Sequence, residues 1–181
     1  FSTTRMTFRT GKSITLAQAR NLAAVLVAAA GISAGAWLSF PIPGTDIPQT
    51  GQTVAVLLVG ALLGPLRGSL AVLLYLLAGL AGLPVFSDGS SGWVVLSGPS
   101  AGYFAGFLLA AATIGVLLKP ARHADFLLTS AVFIAGHGLI LLSGWFWISL
   151  DTGPGPAFSR SVTPFLYGSL VKSLLAAAIL C

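Results

Sequence analysis

The 181 residues have a mean hydropathy of +0.96, and only 7% of them are charged. A water-soluble domain carries about 25% charged residues, so this chain has too little charge to cover a surface facing water; it reads as an all-α, polytopic membrane protein forming a single domain over residues 1–181. The net charge of +5 does not point to nucleic acid, because the basic residues sit at the ends of apolar runs and are not interleaved with aromatics on one face.

Residues 1–15 are expected to be a cytoplasmic leader, and the first ten are left out of the fold argument. A hydrocarbon core of about 30 Å needs roughly 20 helical residues. Six segments are expected to cross it: about 16–38, 50–65, 68–83, 99–118, 126–148 and 162–181. The first is longer than the apolar core of a signal peptide, which argues against cleavage. The second and third are short for full spans.

Arg5, Arg9, Lys12, Arg20, Arg67, Lys119 and Arg122 fall before the first segment, in its first turns, or in the second-to-third and fourth-to-fifth connections. Only Arg160 lies in the other connections, beside Asp46, Asp88 and Asp151. The positive-inside rule then puts both termini in the cytoplasm. The long Gly/Pro-rich connections, Ser39–Gln49, Pro84–Ser97 and Ser149–Ser161, therefore face outward, where a solute would arrive. Between the third and fourth segments, Gly79–Gly106 reads as the lid of a binding site, with Phe86 and Trp93 inside it. Trp93, Trp145 and Trp147 fit an outer aromatic belt.

Small residues recur every fourth position at Gly60, Gly64 and Gly68, and at Gly98, Gly102 and Gly106. Such stripes let helices approach closely in lipid. Ala24 and Ala28 in the first segment are the candidates for docking another membrane protein.

Lys172 stands out because it lies halfway along the last segment, with Ser169 and Ser173 nearby and no acidic residue one turn away. A lysine at a helix centre costs about 2.5–3.5 kcal/mol on insertion scales, and an unpaired ammonium there invites an anionic ligand group. His137, between Gly136 and Gly138, can bond a ligand or simply a backbone carbonyl. Gln49, Thr50, Gln52 and Thr53 cluster where the first outer connection meets the second segment. They suit a neutral ureido or amide group, with helix capping by Thr50 as the plainer alternative. Tyr103 and Tyr75 are candidate aromatic walls with a polar tip.

Gly11-Lys12-Ser13 resembles the end of a phosphate-binding loop, but Met6 stands where its first glycine belongs. Two distant histidines, one cysteine and no intramembrane acid leave no metal site, no catalytic constellation and no carrier for proton or sodium coupling. No enzyme activity and no cofactor are expected.

The runs QTGQTVAVLLVGALLGPLRGSLAVLLYLLAGLAGLPVF, SGPSAGYFAGF and PFLYGSLVKSLLAAA resemble the BioY family, the biotin-binding S components of energy-coupling-factor (ECF) vitamin transporters. The resemblance runs from about Ala17 onward. It implies a six-helix bundle in the bacterial inner membrane, N-in and C-in, with a biotin pocket roofed by the outer loops. Its partners would be a transmembrane coupling protein, docked through Ala24 and Ala28, and two cytosolic ATPases. The expected biotin-binding set, from the residue reading and the resemblance together, is Gln49, Thr50, Gln52, Phe86, Gly98, Tyr103, His137, Ser169 and Lys172. The resemblance also implies an aspartate three residues before the last-helix lysine, and here that position is Ser169. A Ser–Lys wall carries a net positive charge, which suits a carboxylate. An S component for another vitamin and a membrane scaffold are the rival readings. A homo-oligomer is a further partner state compatible with the sequence.

Overall fold

The computed structural model describes residues 15–118 and 125–181. Residues 1–14 of the expected leader, with Arg5, Arg9 and Lys12, and the Lys119 and Arg122 of the fourth-to-fifth connection lie outside the described residues. The described chain is almost wholly helical.

Helix α1 (Leu16–Trp37) begins where Thr15-Leu-Ala-Gln18 forms a capping box: the Thr15 hydroxyl accepts from the Gln18 amide, and the Gln18 side chain accepts from the Thr15 amide at 2.9 Å. A short antiparallel pair follows, β1 (Ser39–Phe40) with β2 (Gln49–Thr50), in the register Ser39↔Thr50 and Phe40↔Gln49. The loop between them is the first of the connections expected to face outward, here termed the first outer connection. Gly35 and Gly51 meet backbone to backbone, which draws the end of α1 against the start of the next helix.

The expected second and third segments are two helical arms, together labelled α2 (Gln52–Leu80), that meet in a sharp turn at Gly64. Gly64, at φ 75° and ψ 179°, occupies a region essentially reserved for glycine. Pro65 follows it, and a residue before proline is pushed out of the α region, while proline itself suits the first turn of a helix. Residues 52–63 and 65–80 therefore run side by side. The proof is the hydrogen bond from the Gln52 side-chain amide to the Tyr75 hydroxyl, 23 residues on. In an unbroken helix those residues would stand about 34 Å apart. A Cβ added to Gly68 would lie 3.1 Å from the Gly60 Cα, so this glycine pair lets the two arms touch. The element also links to α1, where Arg67 Nη1 donates to Asn21 Oδ1 at 2.9 Å.

The expected lid is partly structured. It carries a 3₁₀ turn at Ser87–Gly89 and a short helix α3 (Trp93–Ser97) before α4 (Ala101–Leu117). It is pinned by Phe86, which is fully buried, stacks on Phe104 with ring centroids 5.2 Å apart and meets Tyr75 edge-on at 5.3 Å. Gly79 leaves the space that the Phe86 ring fills. Trp93 points outward and is 68% exposed.

Helix α5 (Phe126–Thr152), capped by the Asp125 carboxylate on the Leu128 amide, packs along α4. Gly102 and Gly106 face Ser143, Gly144 and Ile140 of α5 at backbone contact, and Gly144 seats the Tyr103 ring. The glycine stripes serve internal packing at these positions. Helix α6 (Pro154–Ser161) and a 3₁₀ turn, Thr163–Phe165, lead into α7 (Leu166–Leu180).

Among the described residues, four apolar helical stretches suffice by length and composition to cross a bilayer: Leu16–Trp37, Gln52–Leu80, Phe126–Thr152 and Pro154–Leu180. The second of these is the hairpin, so its length is shared between two arms. Long apolar side chains such as Leu22, Leu62, Leu127 and Ile179 are exposed on the outside of the bundle, as a lipid-facing surface requires.

Candidate functional site

Polar side chains inside a lipid-facing bundle are costly unless they find partners, so their convergence on one place marks the site. The strand β2 and the first turn of α2 bring Gln49, Thr50, Gln52 and Thr53 to face α7. Helix α7 brings Ser169 and Lys172, α5 brings His137, and α4 brings Tyr103, all lining one inner cavity of about 60 Å³.

Four contacts order this cavity. Lys172 Nζ donates to the backbone carbonyl of Thr50 at 3.0 Å. The Gln49 side-chain amide packs directly on Gly168, where any side chain would displace it. The Thr50 hydroxyl donates to Gln52 Oε1 at 3.1 Å, and Gln52 passes the chain on to Tyr75. His137 Nδ1 lies 2.7 Å from the Ser173 hydroxyl, which donates to the Ser169 carbonyl at 2.9 Å. Among the described residues, His137 Nε2, Thr53 Oγ1 and Ser130 Oγ are the buried side-chain polar atoms left without a partner. The first two belong to residues of the cavity wall.

Thr50 does not cap α2: the N-cap is Gly51, with no side-chain hydrogen bond. The strand pairing holds Thr50 extended instead and turns its carbonyl to Lys172. The His137 ring has the Ser173 hydroxyl beside Nδ1 at 2.7 Å and the backbone carbonyl of Phe133, one turn back on α5, as a further hydrogen-bond neighbour.

Seven of the nine expected site residues come together in the inner cavity, and two do not. Phe86 is spent on the aromatic cluster that anchors the lid and does not line the cavity. Gly98 lines a separate, wider outer cleft of about 470 Å³, together with Asp46, Trp147, Asp151 and Arg160. Its carbonyl accepts from Trp147 Nε1 at 3.0 Å. Ile47 is common to both spaces and forms the wall between them. Arg160 Nη2 and Asp46 Oδ2 pair at 3.0 Å across the outer cleft, tying the first outer connection to α6. Trp145 Nε1 and Trp37 Nε1 likewise donate to backbone carbonyls, those of Pro154 at the start of α6 and Pro84 in the lid.

Tyr103 contributes its ring to the cavity, while its hydroxyl donates to the Ser161 carbonyl at 2.6 Å. The sequence reading passed over Ser100 and Ser87, which also line the cavity, and gave Ser173 no role. Ser173 lies one helical turn from Ser169, a spacing that signals a shared face, but nothing in one sequence turns that face toward His137. Ala24 and Ala28 are half-buried, and Ala28 packs against the core, whereas Ala19 and Ala23 on the same helix are exposed. Among the described residues no group of His, Cys, Asp and Glu could hold a metal ion.

The sequence model of the BioY family matches residues 6–181. A biotin transporter BioY of Thermotoga maritima is 38% identical over 149 residues, covering 82% of this chain and 86% of that protein. A probable biotin transporter BioY of Pyrococcus horikoshii is 34% identical over 162 residues, covering 90% of this chain and 94% of that one. The crystal structure of an S-component for biotin from an ECF-type ABC transporter superposes with a TM-score of 0.80 at 26% identity, over 93% of each chain. The role these relatives carry is transport across a membrane, not catalysis, and the apolar helices of this chain agree with a multi-pass membrane protein. On the match of nearly its whole length, the chain belongs to the BioY family.

Proposed function

We propose that this chain is a substrate-capture subunit that binds biotin from outside the cell and delivers it inward together with an ATPase-driven ECF module. The observation that carries the reading is Lys172, an ammonium midway along α7 held to a backbone carbonyl in a polar cavity. A biotin carboxylate would replace the Thr50 carbonyl as its partner. That exchanges a neutral acceptor for a charged one and strengthens the bond. The Gln49–Thr53 cluster and His137 supply polar partners for a ureido head, and Phe104, Phe107 and Ile140 supply apolar wall for the ring and the valeryl chain. Small-molecule sites hold about 300–1,000 Å³. The ligand therefore enters by way of the outer cleft and widens the inner cavity past Ile47.

The chain forms a single membrane domain with six crossings, the two arms of α2 counting as one each. Both termini lie in the cytoplasm, as the basic residues imply. Its site is the bacterial inner membrane. Its partners are a transmembrane coupling protein and two cytosolic ATPases, with α1 as the docking helix around Ala24 and Ala28. Release inward requires that biotin bind less tightly in the inward orientation.

The test is thermal stabilisation of the purified, biotin-free protein by biotin, with Lys172→Ala in parallel. A ligand that binds only the folded state raises the melting temperature. A shift lost in the variant supports the reading. No shift in folded protein overturns it. Ser169, standing where the family resemblance implies an aspartate, favours one alternative, an S component for a different vitamin. Competition by other vitamins against biotin separates the two.

A further inference from the structure

We infer that His137 presents an unprotonated Nε2 to the cavity and thereby selects a ligand group that carries an N–H, and that Ser173 fixes this tautomer. The inference rests on the capture reading above and deepens it.

The argument begins with one proton. The Ser173 hydroxyl has a single hydrogen and two close neighbours, the Ser169 carbonyl at 2.9 Å and His137 Nδ1 at 2.7 Å. A carbonyl can only accept. If the hydroxyl donates to the carbonyl, its oxygen is free to accept from Nδ1–H, and both contacts are hydrogen bonds. If it donates to Nδ1 instead, the contact with the carbonyl has no hydrogen in it. The first arrangement makes two bonds where the second makes one, and in a buried site the extra bond decides. The proton is therefore on Nδ1.

The other nitrogen follows. The chain has four acidic residues, Asp46, Asp88, Asp125 and Asp151, and none lines the inner cavity. Lys172, the neighbour of Ser173 in α7, already brings one positive charge to that wall. A second, on the imidazole, would have no counter-charge, so the ring is neutral. Nε2 is then a bare lone pair. It belongs to a side chain only 2% exposed and has no hydrogen-bond partner among the described residues.

The cavity is thus polarised. Lys172 offers donors only, and His137 offers an acceptor only. Thr53 Oγ1, buried and unpartnered on the same cavity wall, works in either direction. A cyclic urea supplies what His137 and Thr53 need, N–H donors for Nε2 beside a carbonyl for the Thr53 hydroxyl, and leaves Lys172 to the carboxylate. A ligand whose polar head lacks an N–H leaves Nε2 unsatisfied and is rejected.

The experiment is ¹⁵N NMR of the imidazole nitrogens in full-length protein with ¹⁵N-labelled histidine. His123→Ala removes the only other histidine. The ligand-free protein is expected to show the Nδ1–H tautomer, and biotin is expected to move the Nε2 resonance. Ser173→Ala should populate the Nε2–H form and weaken biotin on the order of 10-fold, with rescue by Ser173→Thr. His137→Leu should weaken biotin on the order of 10- to 100-fold, and His137→Gln, which restores an acceptor, should recover part of it. An Nε2–H tautomer in the unmutated site overturns the inference. So does biotin that stabilises the protein yet leaves Nε2 unmoved. Protein with the Nδ1–H tautomer that biotin does not stabilise overturns the biotin reading and the ligand half of this inference, while the Ser173 half stands. The wild-type spectrum decides the tautomer even if a variant fails to fold.

Discussion

Lys172 Nζ donates to the Thr50 carbonyl at 3.0 Å across 122 residues of sequence, fastening α7 to the strand that ends the first outer connection. The bond gives a half-buried ammonium a partner without giving it a counter-charge. The site is therefore stable enough to form and still electrostatically incomplete. Lys172→Met keeps the apolar stem and removes the charge. Removing a charge that costs about 2.5–3.5 kcal/mol at a helix centre should leave the melting temperature of the ligand-free protein unchanged or raised. Biotin affinity should fall on the order of 10- to 100-fold, since a hydrogen bond to a charged group is worth about 1.5–3 kcal/mol. Thermal unfolding with and without biotin separates the two effects. A variant that loses stability but keeps affinity would make the lysine a structural strut.

Gly64→Ala tests the hairpin. At φ 75° and ψ 179°, a side chain at this position is strained by about 1–3 kcal/mol, although no atom lies within 4 Å of where its Cβ would sit. The expected result is a lowered melting temperature with little change in the affinity of the folded fraction. Gly31→Ala is the control, because its Cβ also meets open space and its backbone carries no such φ. Equal melting temperatures for the two variants would mean that the backbone at Gly64 is not held in this conformation.

Phe86→Ala separates lid anchoring from ligand contact. The ring is fully buried between Tyr75, Phe104 and the gap at Gly79. Removing a buried phenylalanine costs about 3–5 kcal/mol. Stability should drop by that order, and Phe86→Leu should restore part of it. In the Leu variant, biotin should bind within a few-fold of the unmutated protein. A selective loss of affinity at normal stability would return Phe86 to the ligand site.

The sequence made much of this legible, for a physical reason. In a chain that must face lipid, each polar side chain inside an apolar run is an anomaly, so Lys172, His137 and the Gln49–Thr53 cluster could be picked out one by one. Gly64-Pro65 was legible too: two short apolar segments were expected there, and two helical arms meet at that glycine, though their close antiparallel pairing was not visible in the sequence. The two-residue strands β1 and β2 lie below any periodic signal, yet they decide that Thr50 offers a carbonyl and not a cap. Phe86 and Gly98 stand away from the inner cavity, which a single sequence does not display, because a loop aromatic looks the same whether it lines a cavity or plugs a gap beside a glycine. The His137–Ser173 contact depends on how α5 and α7 are rotated toward one another, which packing sets and a single sequence does not display.

The ion pair between Arg160 and Asp46 separates rate from affinity. Its side chains are 51% and 83% exposed, so it should add less than about 1 kcal/mol to stability. It nevertheless ties the segment carrying Ile47, the wall between outer cleft and inner cavity, to α6. A tether across the way in raises the barrier for arrival and departure alike. Asp46→Asn should therefore leave the melting temperature nearly unchanged, speed biotin association and dissociation together, and leave Kd within about two-fold, since a weak exposed pair has little energy to withdraw from the bound state. Stopped-flow tryptophan fluorescence reads both rates, with Trp147 lining the same cleft as the reporter. High salt should have the same effect on the unmutated protein and none on the variant, because an exposed pair is screened. Unchanged rates would mean that the pair only decorates the surface. A loss of affinity through slow association alone would mean that Asp46 or Arg160 guides the ligand in, and that the connection is no gate.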